Sequence, residues 1–234
     1  MKFKWILFDL DGTLLSMDQD VFTRTYFKLL ARYLAPMGYD PETLIQNVWA
    51  GTKAMVKNDG SMTNADAFWA TFSAFYGRDC RQDEPEFARF YQTDFQQAAS
   101  VCRKNPEAAC MVDFCKQAGY QVALATNPLF PAVATESRIR WAGLDPSDFA
   151  LYTTYDNSSH CKPHPGYYRD ILAALGARAE ECLMVGNDAK EDMIAETVGM
   201  SVFLLTDCLV NRENADISRW PHGSFADLRA YLSE

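Results

Sequence analysis

A chain of 234 residues, 48% hydrophobic and 23% charged, has the make-up of an ordinary globular protein and can bury a substantial core as one large domain or two small ones. Its 22 basic residues against 31 acidic ones give a formal charge of -9, which disfavours nucleic acid, since nucleic-acid binders carry a basic face. The same balance means that an anionic ligand needs a local cation to overcome the overall field.

The first predicted element is the apolar run Trp5-Ile6-Leu7-Phe8, which reads as a buried parallel strand because a sheet covered on both faces need not alternate. It delivers Asp9 and Asp11 into a turn at Gly12, at the carboxyl end of a strand, where open α/β sheets bind ligands. Two carboxylates about 5 Å apart at an effective dielectric of about 20 repel by on the order of 3 kcal/mol, so one tends to hold a proton. The pair therefore offers a nucleophile beside a proton donor, a site for a hard divalent cation, or both.

Helical periodicity then runs for about ninety residues, the length of a small domain. Phe22, Tyr26, Leu29, Leu30, Tyr33, Leu34 and Met37 recur at spacings of three and four. Asp40-Pro41 opens a second helix bearing Leu44, Ile45, Val48, Trp49, Met55 and Val56. A third starts near Thr63 or Asn64, carries Phe68, Trp69, Phe72, Phe75 and Tyr76, and stops at Gly77, and a fourth carries Phe87, Phe90, Tyr91 and Phe95. Four amphipathic helices in succession argue for a bundle whose aromatics are core first and ligand contacts second. Asn58 to Ser61 reads as a plain turn, Arg103-Lys104-Asn105-Pro106 as a return linker, and the basic residues Arg24, Lys53 and Lys57 as solvated surface.

From Pro106 helices and strands alternate, with strands expected at Gln121 to Ala125, Ala150 to Thr153, Cys182 to Val185 and Ser201 to Leu205. Helical patterns at Glu107 to Gln117, Pro131 to Trp141, Gly166 to Leu175 and Glu191 to Val198 separate them. This order predicts a doubly wound, Rossmann-like parallel sheet, completed by the first strand. The expected division is a core domain of residues 1-15 and 106-234 with a helical domain of residues 16-105 inserted beside the acidic pair.

The later strands also end in polar groups. Thr126 and Asn127 follow one strand, where a hydroxyl and backbone N–H groups suit a phosphoryl oxygen. Lys162 lies in the turn His160-Cys161-Lys162-Pro163-His164-Pro165, and Asp188 and Asp192 follow another strand four residues apart. Clustered carboxylates oppose folding unless neutralised, and oxygen ligands favour magnesium over zinc. The 7 cysteines are odd in number and form no Cys-x-x-Cys, so reduced thiols in a cytoplasmic protein are expected. The apolar run before Asp9 is too short for a signal peptide or a membrane span.

Asp9-Leu10-Asp11-Gly12-Thr13, Thr126, Lys162 and the Asp188/Asp192 pair stand in the order, and at the strand ends, of the four motifs of the haloacid dehalogenase-like hydrolases, which the sequence resembles. The helical insertion is similar to that family's cap domain. The resemblance implies that Asp9 attacks phosphorus to form an aspartyl phosphate and that Asp11 protonates the leaving oxygen and then takes a proton from water. It implies Mg2+ on Asp9, the backbone carbonyl of Asp11 and Asp188, with Asp192 a further metal-site residue that orients Lys162 or a metal-bound water. Thr126, Asn127 and Lys162 would hold the phosphoryl group.

Asn187 departs from the common Gly-Asp order, and its role stays open. An acid at the position of Asp11 favours phosphate over halogen chemistry, because dehalogenase relatives lack it. The expectation is a magnesium-dependent phosphatase of a small phosphorylated metabolite, present as a monomer or weak homodimer. A sugar-phosphate mutase, or a catalytically silent binding protein on the same scaffold, are the alternatives.

Overall fold

The computed structural model describes residues 2-233. Its centre is a five-stranded sheet in the order β4-β1-β5-β6-β7, where β1 is Trp5–Phe8, β4 Gln121–Leu124, β5 Cys182–Gly186, β6 Ser201–Leu205 and β7 His222–Gly223. Every neighbouring pair is parallel, with Phe8 opposite Leu124 on one side and Val185 on the other. The sheet is thus doubly wound and Rossmann-like, as expected. Because successive side chains point to opposite faces, β1 feeds two cores. Ile6 and Phe8 pack with helices α5 (Pro106–Gln117) and α8 (Phe225–Ser233), while Trp5 and Leu7 pack with α7 (Pro165–Leu175).

The inserted segment holds α1 (Gln19–Leu34), α2 (Pro41–Val56), α3 (Asn64–Tyr76) and α4 (Glu84–Gln92). Their starts follow the expected chemistry: Asp40 accepts the Thr43 N–H and Thr63 the Asp66 N–H, and Gly77 ends α3 in the left-handed region. A third core of aromatic residues fills this layer and extends to Tyr155 and Cys161 of the sheet unit. Packing does not absorb every apolar residue assigned to it. Met37, Val56, Trp49 and Phe75 are exposed, the last two by 51% and 60%.

Four differences from the sequence reading have physical causes. Arg103 and Lys104 are not a free linker, since β3 (Cys102–Lys104) pairs antiparallel with β2 (Leu15–Met17) in a ribbon joining the helical layer to the sheet. Phe95 lies past the end of α4, in a 3-10 turn over Asp94–Val101. Ala150 to Thr153 is only an isolated bridge at Tyr152, although the Ala150 and Thr153 N–H groups bond to Val122 and Leu124 across the sheet edge. Glu191 to Val198 is a 3-10 helix from Met193, because Asp192 is turned inward. No signal marked α8, and α6 spans Ala132–Trp141 close to its expected place. No helix among the described residues is long and apolar enough to cross a membrane.

Candidate active site

The carboxyl ends of β1, β4 and β5 bring Asp9, Asp11, Thr126, Asn127, Asp188 and Asp192 to the wall of one cavity of about 710 Å³, whose far side is formed by α1 to α4. Asp9 is held in extended backbone by donating its N–H to the Val185 carbonyl at 2.9 Å, one step past the end of β1. Gly12 then turns back with φ +90°, and a side chain there would overlap Asn187. Thr13 Oγ1 lies 3.2 Å from Asp9 Oδ2 and 2.9 Å from Asn187 Oδ1, while the Asn187 amide donates to the Cys208 carbonyl at 2.7 Å. Asn187 therefore has a structural occupation: it ties the end of β5 to the turn bearing the acidic pair.

Lys162 is 2% exposed and donates to Asp9 Oδ1 at 2.9 Å and Asp192 Oδ1 at 2.6 Å. Burial pulls its pKa down, but the two carboxylates outweigh burial and hold it well above the usual lysine value. Two of its three N–H donors are used, and Lys162 itself stands outside the cavity lining. Asp192 is anchored through both carboxylate oxygens. Its Oδ1 accepts from Lys162 and its Oδ2 from the Asp188 N–H at 2.9 Å, as the two oxygens of Asp9 accept from Lys162 and Thr13. A Cβ at Gly186 would overlap this carboxylate, which explains a glycine at the end of β5. Burial raises the Asp192 pKa to about 6 against the pull of Lys162.

Asp188 Oδ1 accepts the N–H groups of Lys190 and Glu191, each at 2.8 Å, which fixes the turn after β5. Thr126 is buried, and its carbonyl is anchored by Thr153 at 2.6 Å and Tyr167 at 2.8 Å, so the residue reaches the cavity from a rigid strand end. Asn127 Nδ2 donates to Glu191 Oε2 at 3.0 Å, while Asn127 Oδ1 and Asp11 Oδ1 are buried without partners.

Arg138 and Glu191 are the site residues that sequence reasoning missed. Arg138 is 1% exposed, pairs with Asp11 Oδ2 and lies 4.5 Å over the Phe130 ring. An arginine on an amphipathic helix reads as surface, and a partner 127 residues away leaves no local signal. The Asp11 carboxyl titrates above the usual range, raised first by burial and then by the Asp9 charge, while Arg138 opposes both. Burial also raises Glu191 to about 7.

Among the described residues no three His, Cys, Asp or Glu side chains converge on a metal position. The donors at the cavity are the carboxylates of Asp9, Asp188 and Asp192, the unpartnered Asp11 Oδ1 and main-chain carbonyls. This all-oxygen set fits magnesium, which binds through one or two carboxylates and retains several waters.

A family model for haloacid dehalogenase-like hydrolases matches residues 3–195. The chain belongs to that family. Among curated relatives, pyrophosphatase PpaX of Bacillus cereus (strain AH820) is 25% identical to this hydrolase over 200 residues, 85% of this chain and 81% of the relative. Among solved structures, the 2-haloacid dehalogenase of Pseudomonas syringae pv. Tomato DC3000 superposes on the hydrolase with a TM-score of 0.63 at 18% identity, covering 99% of this chain and 98% of that one. The HAD-hydrolase YfnB of Bacillus subtilis, described as bound to magnesium, gives 0.59 at 16% identity over 100% of both chains. At these identities the structural neighbours speak for the fold, a sheet core with an inserted helical cap, and leave the hydrolase's chemistry to its own residues.

Proposed function

We propose that this hydrolase is a magnesium-dependent phosphatase acting on a small phosphorylated metabolite through an aspartyl phosphate on Asp9. The supporting observation is the placement of Asp9 and Asp11 on one cavity wall with Thr126, Asn127 and Asp188, and with Lys162 directly behind Asp9. An Asp9 oxygen forms a bond to phosphorus as the bond from phosphorus to the ester oxygen breaks. Asp11 gives its proton to that oxygen, and the alcohol leaves. Water then attacks the same phosphorus and loses a proton to Asp11, which frees Asp9 and inorganic phosphate. The raised pKa of Asp11 suits the first step, and Arg138 holds the carboxyl in place for both.

Magnesium, held by Asp9, Asp188 and the Asp11 carbonyl, would screen the repulsion between carboxylate and phosphate dianion. Lys162 fixes Asp9, while Thr126 and Asn127 supply donors to the phosphoryl oxygens. Asp192 acts as a positioning residue through Lys162. We take residues 16-105 as the cap, and the 7 unpaired cysteines support a cytoplasmic protein.

A panel of phosphate monoesters assayed with and without magnesium tests this reading, with isomerised products measured beside free phosphate. Asp9→Asn should remove turnover and phosphoenzyme formation, whereas hydrolysis that survives the substitution overturns the covalent route. Isomerisation that outruns phosphate release would transfer the assignment to the mutase.

A further inference from the structure

The cap wall of the cavity is aromatic and uncharged. Phe22, Tyr26 and Phe27 of α1, Trp49 of α2, Trp69 of α3 and Tyr91 of α4 line it, and α1 to α4 contribute no Asp, Glu, Lys or Arg to the lining. The charged residues of these helices face elsewhere: Arg24, Lys53 and Lys57, basic groups that could have met a remote anion, are all exposed and absent from the wall. The Tyr26, Tyr91 and Thr52 hydroxyls are satisfied locally, while the buried Trp69 Nε1–H has no partner among the described residues. The Tyr26 and Tyr91 hydroxyls bond to each other at 3.1 Å, and Thr52 Oγ1 donates to the Val48 carbonyl at 2.9 Å. Phe27 and Trp49 lie 5.2 Å apart at 43°, with Trp49 half exposed and so open to a planar group beside it.

The cations that reach the cavity, Lys190 and Arg212, stand on the sheet side, with Lys190 paired to Glu213, so a second anionic group directed at the cap wall would find no counter-charge there in a protein of formal charge -9, and an unpaired buried charge is strongly disfavoured. An aromatic ring would instead find offset and edge-on partners. The cavity volume, about 710 Å³, also exceeds what a two-carbon phosphate or pyrophosphate occupies.

We infer that the substrate is a phosphate monoester whose leaving alcohol is uncharged and carries an aromatic ring. This rests on the phosphatase reading. It sets the hydrolase apart from the activity that PpaX's name gives that relative, since the aromatic cap wall offers no cation to a second phosphoryl group.

The test compares 2-phenylethyl phosphate with ethyl phosphate, esters of alcohols of similar acidity that differ by the ring, alongside phosphoglycolate and pyrophosphate. Binding of 2-phenylethylphosphonate and ethylphosphonate is measured in parallel. The expected result is a preference of roughly tenfold or more in kcat/KM for the ring-bearing ester, with the phosphonates ranked the same way. Trp49→Ala, at a site exposed enough to spare folding, should shrink that preference by roughly 3- to 10-fold. A preference for phosphoglycolate or pyrophosphate, or a preference unmoved by Trp49→Ala, overturns the inference while leaving the phosphatase standing. If no ester is hydrolysed the phosphatase reading fails, and the phosphonate ranking alone then decides for or against an aromatic ligand.

Discussion

At the residue scale the site is organised by one buried ammonium. Lys162 sits between Asp9 and Asp192, each of which would otherwise be an unpaired charge in a dry environment. Removing one member of such a set leaves the others uncompensated, which typically costs about 3–5 kcal/mol, well above what exposed pairs such as Arg178 with Glu180 contribute. Lys162→Met, which keeps most of the side-chain volume, should therefore lose stability by about that amount in urea unfolding. Arg178→Met should lie within about 0.5 kcal/mol of the parent. Equal stabilities for the two variants would refute the idea that Lys162 neutralises both acids. Gly186 belongs to the same set, because only a residue without a Cβ leaves room for the Asp192 carboxylate against β5.

At the element scale the helical layer is held by aromatic packing. Phe72 of α3 is fully buried among Phe68, Tyr39, Tyr76 and Phe87, at centroid distances of 5.1 to 6.1 Å. Phe72→Ala should thus cost about 3–5 kcal/mol in calorimetry or urea unfolding, with the spread set by how far the cavity collapses. A loss below about 1 kcal/mol would mean that this core is loosely packed. The elements legible in the sequence are those specified by local rules. The apolar run of β1, the Asp40-Pro41 start of α2 and the Gly77 end of α3 depend on neighbours a few residues away. What stayed hidden depends on distant partners. Asp192 faces inward because Lys162, 30 residues earlier, requires it, and that converts an expected α-helix into 3-10 turns. The β2–β3 ribbon pairs Leu15 with Lys104, and neither segment is long or apolar enough to announce a strand. For the site itself, motif order identified the residues at the strand ends, whereas the aromatic wall was read as packing because burial and cavity lining leave the same periodicity in a helix.

At the scale of the whole molecule the cavity where the sheet and helical layer meet gathers acidic side chains from distant parts of the chain. Asp9, Asp11, Asp188, Glu191, Asp192 and Glu213 all reach one cavity, with Lys190 and Arg212 in its lining and the buried cations Lys162 and Arg138 paired to three of the acids. Lys162 and Arg138 engage Asp9, Asp192 and Asp11, whereas among the described residues the Asp188 carboxylate accepts from backbone N–H groups and has no paired cation. A divalent cation bound there stabilises the folded chain by mass action, because the unfolded chain does not gather these donors. At a hundred times the dissociation constant the gain is about 2.7 kcal/mol, which for a protein of this size raises Tm by roughly 5 to 11 °C. Differential scanning fluorimetry with magnesium chloride, against sodium chloride at matched ionic strength, separates site binding from general screening of the -9 charge. The expected outcome is a saturable magnesium shift that Asp188→Asn weakens and that sodium does not reproduce. Equal shifts from the two salts would mean that the carboxylates are neutralised by protons and by Lys162 and Arg138 alone, and that no metal completes the site.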